Sequence, residues 1–167
     1  MNEAPFVARF SKWRAFLKVV IFLAMMAISL WSAGIFGPRE SVVWAGWIGA
    51  LFSSLGIIGF GRMLFDDDDQ LVVSNQGVRI KRWSAVTIPW NEFSKVGTWS
   101  FRSQVWNPGQ KMIVFTLAHP DRFPSSTRSG RVAKINLART GGEILVSMIG
   151  TNRSFDEAMV AIERFRG

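Results

Sequence analysis

Two long apolar runs without a single charge, placed back to back, constrain this chain more than any other feature of its sequence. From Val19 to Pro38 (VVIFLAMMAISLWSAGIFGP) and from Ser41 to Gly61 (SVVWAGWIGALFSSLGIIGFG) there is no Asp, Glu, Lys or Arg. At about 1.5 Å rise per residue each run covers roughly the 30 Å of a hydrocarbon core. The pattern predicts transmembrane helices over about 15–37 and 41–63. Gly37, Pro38, Arg39 and Glu40 form the join, which is short enough to require an antiparallel hairpin. A cleaved secretory leader is the competing reading of the first run. It is disfavoured because the run is too long and leads straight into a second one instead of a small-residue cleavage site.

Basic residues then orient the hairpin. Arg9, Lys12, Arg14 and Lys18 precede the first run and Arg62 follows the second, against Arg39 alone in the turn. Both termini are therefore expected in the cytoplasm, with the chain crossing the membrane twice. Trp31, Trp44 and Trp47 fall at the outer headgroup level and Trp13 at the inner one, as in an aromatic belt. Small residues recur four apart at Ser29, Ala33 and Gly37 and at Ala45, Gly49 and Ser53. Such stripes suit close packing within the hairpin first and dimerisation second. Neither run contains the ionisable residue that transport paths require, so the pair reads as an anchor.

Composition excludes several chemistries. There is no cysteine, hence no disulfide, thiolate metal site or cysteine nucleophile, and His119 is the only histidine. No Gly-rich phosphate loop or nucleophile elbow is present. No cofactor and no metal are expected, and the chain reads as a non-enzyme. Glu92 and Asp121 are the nearest candidates to assist His119 as a base, with nothing in the sequence to bring them together. The net charge of +8 is first explained by membrane orientation. Nucleic acid, through Arg122, Arg128, Arg131, Lys134 and Arg139, is the weaker reading of that charge.

The chain divides into a membrane anchor, 1–65, and a cytoplasmic domain, 66–167. Asp66 to Asp69 reads as a solvated spacer, since consecutive acids cannot easily converge on one ion. Seven short strands are expected: Leu71–Ser74, Val78–Trp83, Thr87–Trp90, Val96–Phe101, Met112–Leu117, Val132–Leu137 and Glu143–Met148. Gly77 in Asn75-Gln76-Gly77 supplies the backbone freedom for the first hairpin. Residues 119–131 (HPDRFPSSTRSGR) read as a mobile loop. Trp90, after the bend at Pro89, is expected to turn inward as core, while Trp83, Trp99 and Trp106 are less constrained. Ser154 and Glu157 form a capping box, and Phe155, Ala158, Met159, Ile162 and Phe165 make the apolar stripe of a terminal helix.

The order of two membrane helices, D-x-x-L-V-V-S-x-x-G-V (Asp68 to Val78), I-P-W-x-E-F (Ile88 to Phe93) and S-F-D-E-A (Ser154 to Ala158) resembles a family of small bacterial membrane proteins. These carry a pleckstrin-homology-like (PH-like) domain, and the likeness covers essentially the whole chain. It implies an α+β membrane protein in which the hairpin is followed by a seven-stranded β-barrel or sandwich with a C-terminal capping helix. The family has no established activity to lend.

The expected function is a membrane-anchored binding or scaffold protein presenting that domain at the cytoplasmic face, with a protein partner or a second copy of itself. The alternative is a sensor of anionic lipid headgroups through Arg79, Lys81, Arg82, Arg128 and Arg131. PH domains that bind phosphoinositides resemble one another in a basic first hairpin loop, whereas Asn75-Gln76-Gly77 here is short and uncharged.

Overall fold

The computed structural model describes residues 3–35, 43–103, 107–127 and 132–167, with the side chains of 101–110 and 134 outside that description. The turn at Gly37 to Glu40, Trp106, Arg128 and Arg131 therefore lie outside the described residues. Two compact units appear: Phe10–Asp67, and Met1–Arg9 together with Asp68–Gly167.

The first unit is a pair of helices, α1 (Lys12–Ser32) and α2 (Val43–Leu64), both long and apolar enough to cross a membrane. Ile28, Trp31, Trp44, Leu51 and Leu55 are exposed, unlike the side chains of a buried core helix. The two helices touch through small residues. A Cβ on Gly46 would lie 2.5 Å from the Ala33 nitrogen, and one on Gly49 would lie 2.5 Å from Ser29 Oγ. Gly46, Ala50 and Ser53 are buried while Ala45 is exposed, so the contact stripe on α2 sits one residue away from the expected one at its start. Ser29, Ala33, Gly49 and Ser53 are thus spent within the hairpin. Phe22 fills the lower part, stacking on Phe60 at 5.6 Å and meeting Phe52 at 5.8 Å.

The second unit begins before the helices. Strand β1 (Phe6–Arg9) pairs antiparallel with β2 (Asp69–Ser74), matching Phe6 with Val73, Val7 with Val72 and Ala8 with Leu71. No strand is legible at β1 from its four residues alone. Its backbone is also held by the loop before the last helix: the Asn152 N–H donates to the Arg9 carbonyl at 2.8 Å, and the Arg9 N–H to Asn152 Oδ1 at 2.9 Å. Strand β3 (Gly77–Ile80) completes a sheet of order β1-β2-β3. After a single 3₁₀ turn at Trp90–Glu92, β4 (Phe93–Ser103), β5 (Asn107–Leu117) and β6 (Ile144–Ser147) form a second antiparallel sheet.

The described residues thus form two three-stranded sheets and no closed barrel, in place of the expected seven-stranded one. Two of the expected strands account for the difference. Val132–Leu137 is not extended but enters α3 (Ala133–Thr140), rich in good helix formers and stopped by Gly141 in the left-handed conformation at φ 76°. Thr87–Trp90 is bent by Pro89 and keeps only a bridge from Ile88 to Val78.

Alternating residues of both sheets meet in one core: Leu71 and Val73, Val78 and Ile80, Ile113 and Phe115, Ile144 and Val146. Helix α4 (Phe155–Arg166) adds Ala158 and Ile162. Its capping box is present, with the Glu157 N–H donating to Ser154 Oγ at 3.2 Å and the Ser154 N–H to Glu157 Oε2 at 2.7 Å. That backbone bond holds the Glu157 carboxyl below its ordinary range. Trp83, read as less constrained, is a core residue only 4 % exposed. Trp90 packs against the core half-buried, its Nε1 donating to the Ser74 carbonyl at 2.8 Å.

Gly77 sits at φ 140°, where a Cβ would fall 2.0 Å from the Ile88 carbonyl oxygen. Gly77→Ala is expected to destabilise the strand unit by about 2–4 kcal/mol. Gly97→Ala, whose Cβ meets nothing closer than 3.9 Å, is the control and should be near neutral in thermal unfolding in detergent micelles.

Candidate functional site

Three polar clusters of the strand unit carry the charged and titratable side chains from which a site could be built. The first joins the ends of the first sheet. Asp69, on β2, receives Arg9 Nε from β1 at 2.7 Å and Arg79 Nη2 from β3 at 2.8 Å, while Lys81 Nζ meets Asp68 at 3.0 Å. The acidic run, read as a solvated spacer, is therefore used at Asp68 and Asp69 to clamp three strands side by side. Such exposed pairs contribute roughly 0–1 kcal/mol each, so their main effect is on register and local charge. Of the five residues expected to meet anionic headgroups, Arg79 and Lys81 have carboxylates against them. Arg82 is exposed at a different place, beside the α3 pocket described below. The charges of Arg79 and Lys81 are thus offset locally by Asp69 and Asp68.

The second cluster brings together residues 27 and 30 positions apart. Pro89 directs the chain into the 3₁₀ turn, which turns Glu92 inward until its side chain is only 12 % exposed. Its carboxylate accepts His119 Nδ1 at 3.1 Å and Arg122 Nη1 at 3.1 Å, and its carbonyl accepts the Ala118 N–H at 2.8 Å. Burial alone would raise the Glu92 carboxyl, but the hydrogen bonds and positive charge of His119 and Arg122 outweigh it and hold the group below the ordinary carboxylate value. A carboxylate stabilised this way is a weak base. Among the described residues, no group of three His, Cys, Asp or Glu side chains could hold a metal ion. The arrangement ties the 119–122 turn to the start of β4. Of the two partners considered for His119, Glu92 is the one brought to it; Arg122 was not anticipated, because sequence distance hides the meeting.

The third is a pocket of about 80 Å³ under α3, lined by Ile80, Trp83, Ile144 and Leu145 with Arg82, Val132, Asn136 and Glu143. Glu143 is buried, its Oε2 accepting the Leu117 N–H at 3.1 Å, and Asn136 Nδ2 donates to the Glu143 carbonyl at 3.3 Å. Trp83 Nε1 donates to the Phe123 carbonyl at 3.0 Å, and the Trp83 carbonyl accepts the Ser126 N–H and Ser125 Oγ. The part of the loop described, 119–127, is therefore fastened to Trp83, contrary to its reading as mobile. Small-molecule sites run to about 300–1,000 Å³. This pocket has room for a few waters, not for a cofactor.

The Glu92 cluster makes stability depend on pH with a definite sign. Because folding lowers the Glu92 pKa, its contribution is complete above the unfolded value near 4.5 and is lost as pH falls through the lower folded value. Wild type is expected to lose more stability between neutral pH and about pH 3 than Glu92→Gln does, with the variant the less stable of the two at pH 7. Denaturant melts at several pH values measure the difference; parallel curves would contradict it. Comparison of the chain with family models, curated proteins and solved structures finds no match, so the residues above carry the functional argument alone.

Proposed function

We propose that this chain is a membrane-anchored, non-enzymatic binding or scaffold protein, in which α1 and α2 cross a bacterial inner membrane and the strand unit is presented at its cytoplasmic face. The observation that carries the reading is the exposed apolar surface of α1 and α2, uninterrupted by charge from Val19 to Ile35 and from Val43 to Gly61. In water that surface would be an aggregation liability, and in lipid it is solvated. Basic residues at Arg9, Lys12, Arg14, Lys18 and Arg62 favour both termini inside. The strand unit is read as PH-like: two packed three-stranded sheets followed by a capped helix, in keeping with the resemblance of the Asp68–Val78, Ile88–Phe93 and Ser154–Ala158 motifs.

The non-enzymatic part rests on how the polar side chains are used. Glu92 is held by hydrogen bonds with His119 and Arg122, Glu143 accepts a backbone N–H, and the pocket beside it is too small for a substrate of ordinary size. The exposed surface of the strand unit is where a protein partner or second copy would dock.

Because the chain has no cysteine, single cysteines report topology cleanly. In cells whose outer face alone is exposed to an impermeant maleimide, Asp156→Cys should stay unlabelled until the membrane is opened. Ile58→Lys, placing a charge on the exposed face of α2, should weaken insertion by about 2.5–3.5 kcal/mol and shift protein into the carbonate-extractable fraction. Full extraction of the wild type by carbonate, or labelling of Asp156→Cys from outside, would contradict the reading. Purification in mild detergent should yield a homo-oligomer or a stoichiometric complex.

A further inference from the structure

Helix α3 is packed the wrong way round for a helix in water. Its inward face is Ala133, Asn136 and Thr140, all half-buried, with Asn136 Nδ2 bonded to the Glu143 carbonyl and Thr140 Oγ1 to the Asn136 and Gly142 carbonyls. Its apolar side chains point out instead: Ile135 is 52 % exposed and Leu137 41 %, and Val132, just before the helix, is 43 % exposed. Ala138 and Arg139 are exposed with them. An amphipathic surface helix ordinarily buries its Ile and Leu and leaves its Asn and Thr to solvent. Here the polar groups satisfy one another and nearby carbonyls, so the inversion is a settled packing arrangement with its apolar side left over.

We propose that the outer face of α3 is a membrane-contact element that rests on the anionic lipid surface of the bilayer in which the chain is anchored; this deepens the reading of the chain as membrane-anchored and rests on it. Charge selects lipid over other occupants. From Arg128 to Gly142 the sequence holds four basic residues and no acidic one, which complements an anionic leaflet and repels a second copy of the same segment. Size points the same way. A two-turn helix cannot supply the roughly 800 Å² per partner of a stable protein interface, whereas interfacial helices need only seat a few apolar side chains at the headgroup boundary with basic residues beside them. Low intrinsic affinity suffices because the anchor makes the encounter intramolecular. Only Phe10 and Ser11 join β1 to α1, and only Phe65 to Asp68 join α2 to β2, so a bilayer crossed by those helices is always within reach of the strand unit. This contact does not use Arg79 or Lys81, which face carboxylates.

The test uses the full chain reconstituted into phosphatidylcholine vesicles with and without phosphatidylglycerol, carrying one environment-sensitive fluorophore on a single introduced cysteine. Ile135→Cys reports α3, Leu51→Cys on the exposed face of α2 reports the anchor, and Asp156→Cys on α4 reports solvent. With a spin-labelled lipid as quencher, the Leu51 probe should be quenched in both vesicle types and the Asp156 probe in neither. The Ile135 probe should be quenched strongly with phosphatidylglycerol, and lose most of that quenching without it or in high salt. With the probe moved to Ala138→Cys, Ile135→Ser combined with Leu137→Ser should likewise abolish it. Quenching at Leu51 but not at Ile135 would overturn the proposal while leaving the anchor intact. An Ile135 probe that becomes apolar with protein density yet escapes the lipid quencher would overturn it in favour of a second copy. Quenching at Ile135 indifferent to phosphatidylglycerol and salt would overturn the anionic assignment. Absence of quenching at Leu51 would remove the anchoring reading and the proposal together.

Discussion

The pairing of β1 with β2 is the constraint on which the arrangement of this chain depends. Phe6 to Ala8 match Val73 to Leu71 across an antiparallel ladder, although the whole of α1 and α2 lies between them in sequence. Antiparallel neighbours leave the end of one strand beside the start of the next. The two antiparallel helices α1 and α2 lie between those strands in sequence, and Gly46 and Gly49 allow the close approach that keeps the helices paired. In sequence the two helices are therefore an insertion between two strands that pair in one sheet. Ala8, fully buried, carries the consequence into the core.

Charge reinforces the same junction. Arg9 and Arg79 converge on Asp69 from the two flanking strands, and Lys81 meets Asp68. These contacts are individually weak, yet a one-residue slip of β1 would turn Ala8 out of the core and move Arg9 off its partner at once. The same economy is visible elsewhere. Glu92 holds the 119–122 turn, Glu143 closes an N–H of β5, and Thr140 and Asn136 satisfy α3 from within. Polar groups in this unit serve connection between elements, while the apolar side chains of α3 face outward.

Much of this was legible in the sequence because it depends on local pattern. Uncharged runs of twenty residues announce the helices, Gly77 between Ser74 and Val78 announces the hairpin, and Ser154 with Glu157 announces α4. What was hidden depends on distance or on a competing pattern. Phe6–Arg9 is a strand only because β2 is beside it, and its four residues read equally well as the basic approach to a membrane helix. Val132–Leu137 has enough β-branched residues to suggest a strand, and Gly141 and Gly142 looked like a turn between strands where they in fact end α3. Glu92, His119 and Arg122 sit on separate segments, so nothing local could bring them together. Trp83 gained its core position from a loop forty residues away that accepts its indole N–H.

Hydrogen exchange on the full-length protein in detergent micelles tests the β1–β2 constraint most directly, by comparing the intact chain with one lacking residues 1–9. The account predicts that backbone amides of Val72 and Val73 exchange slowly in the intact chain and lose much of that protection in the shortened one, with the loss spreading to Val78 and Ile80 on β3. Equal protection of β2 in the two proteins would show that the strand unit is complete without β1, and would contradict the account at its foundation.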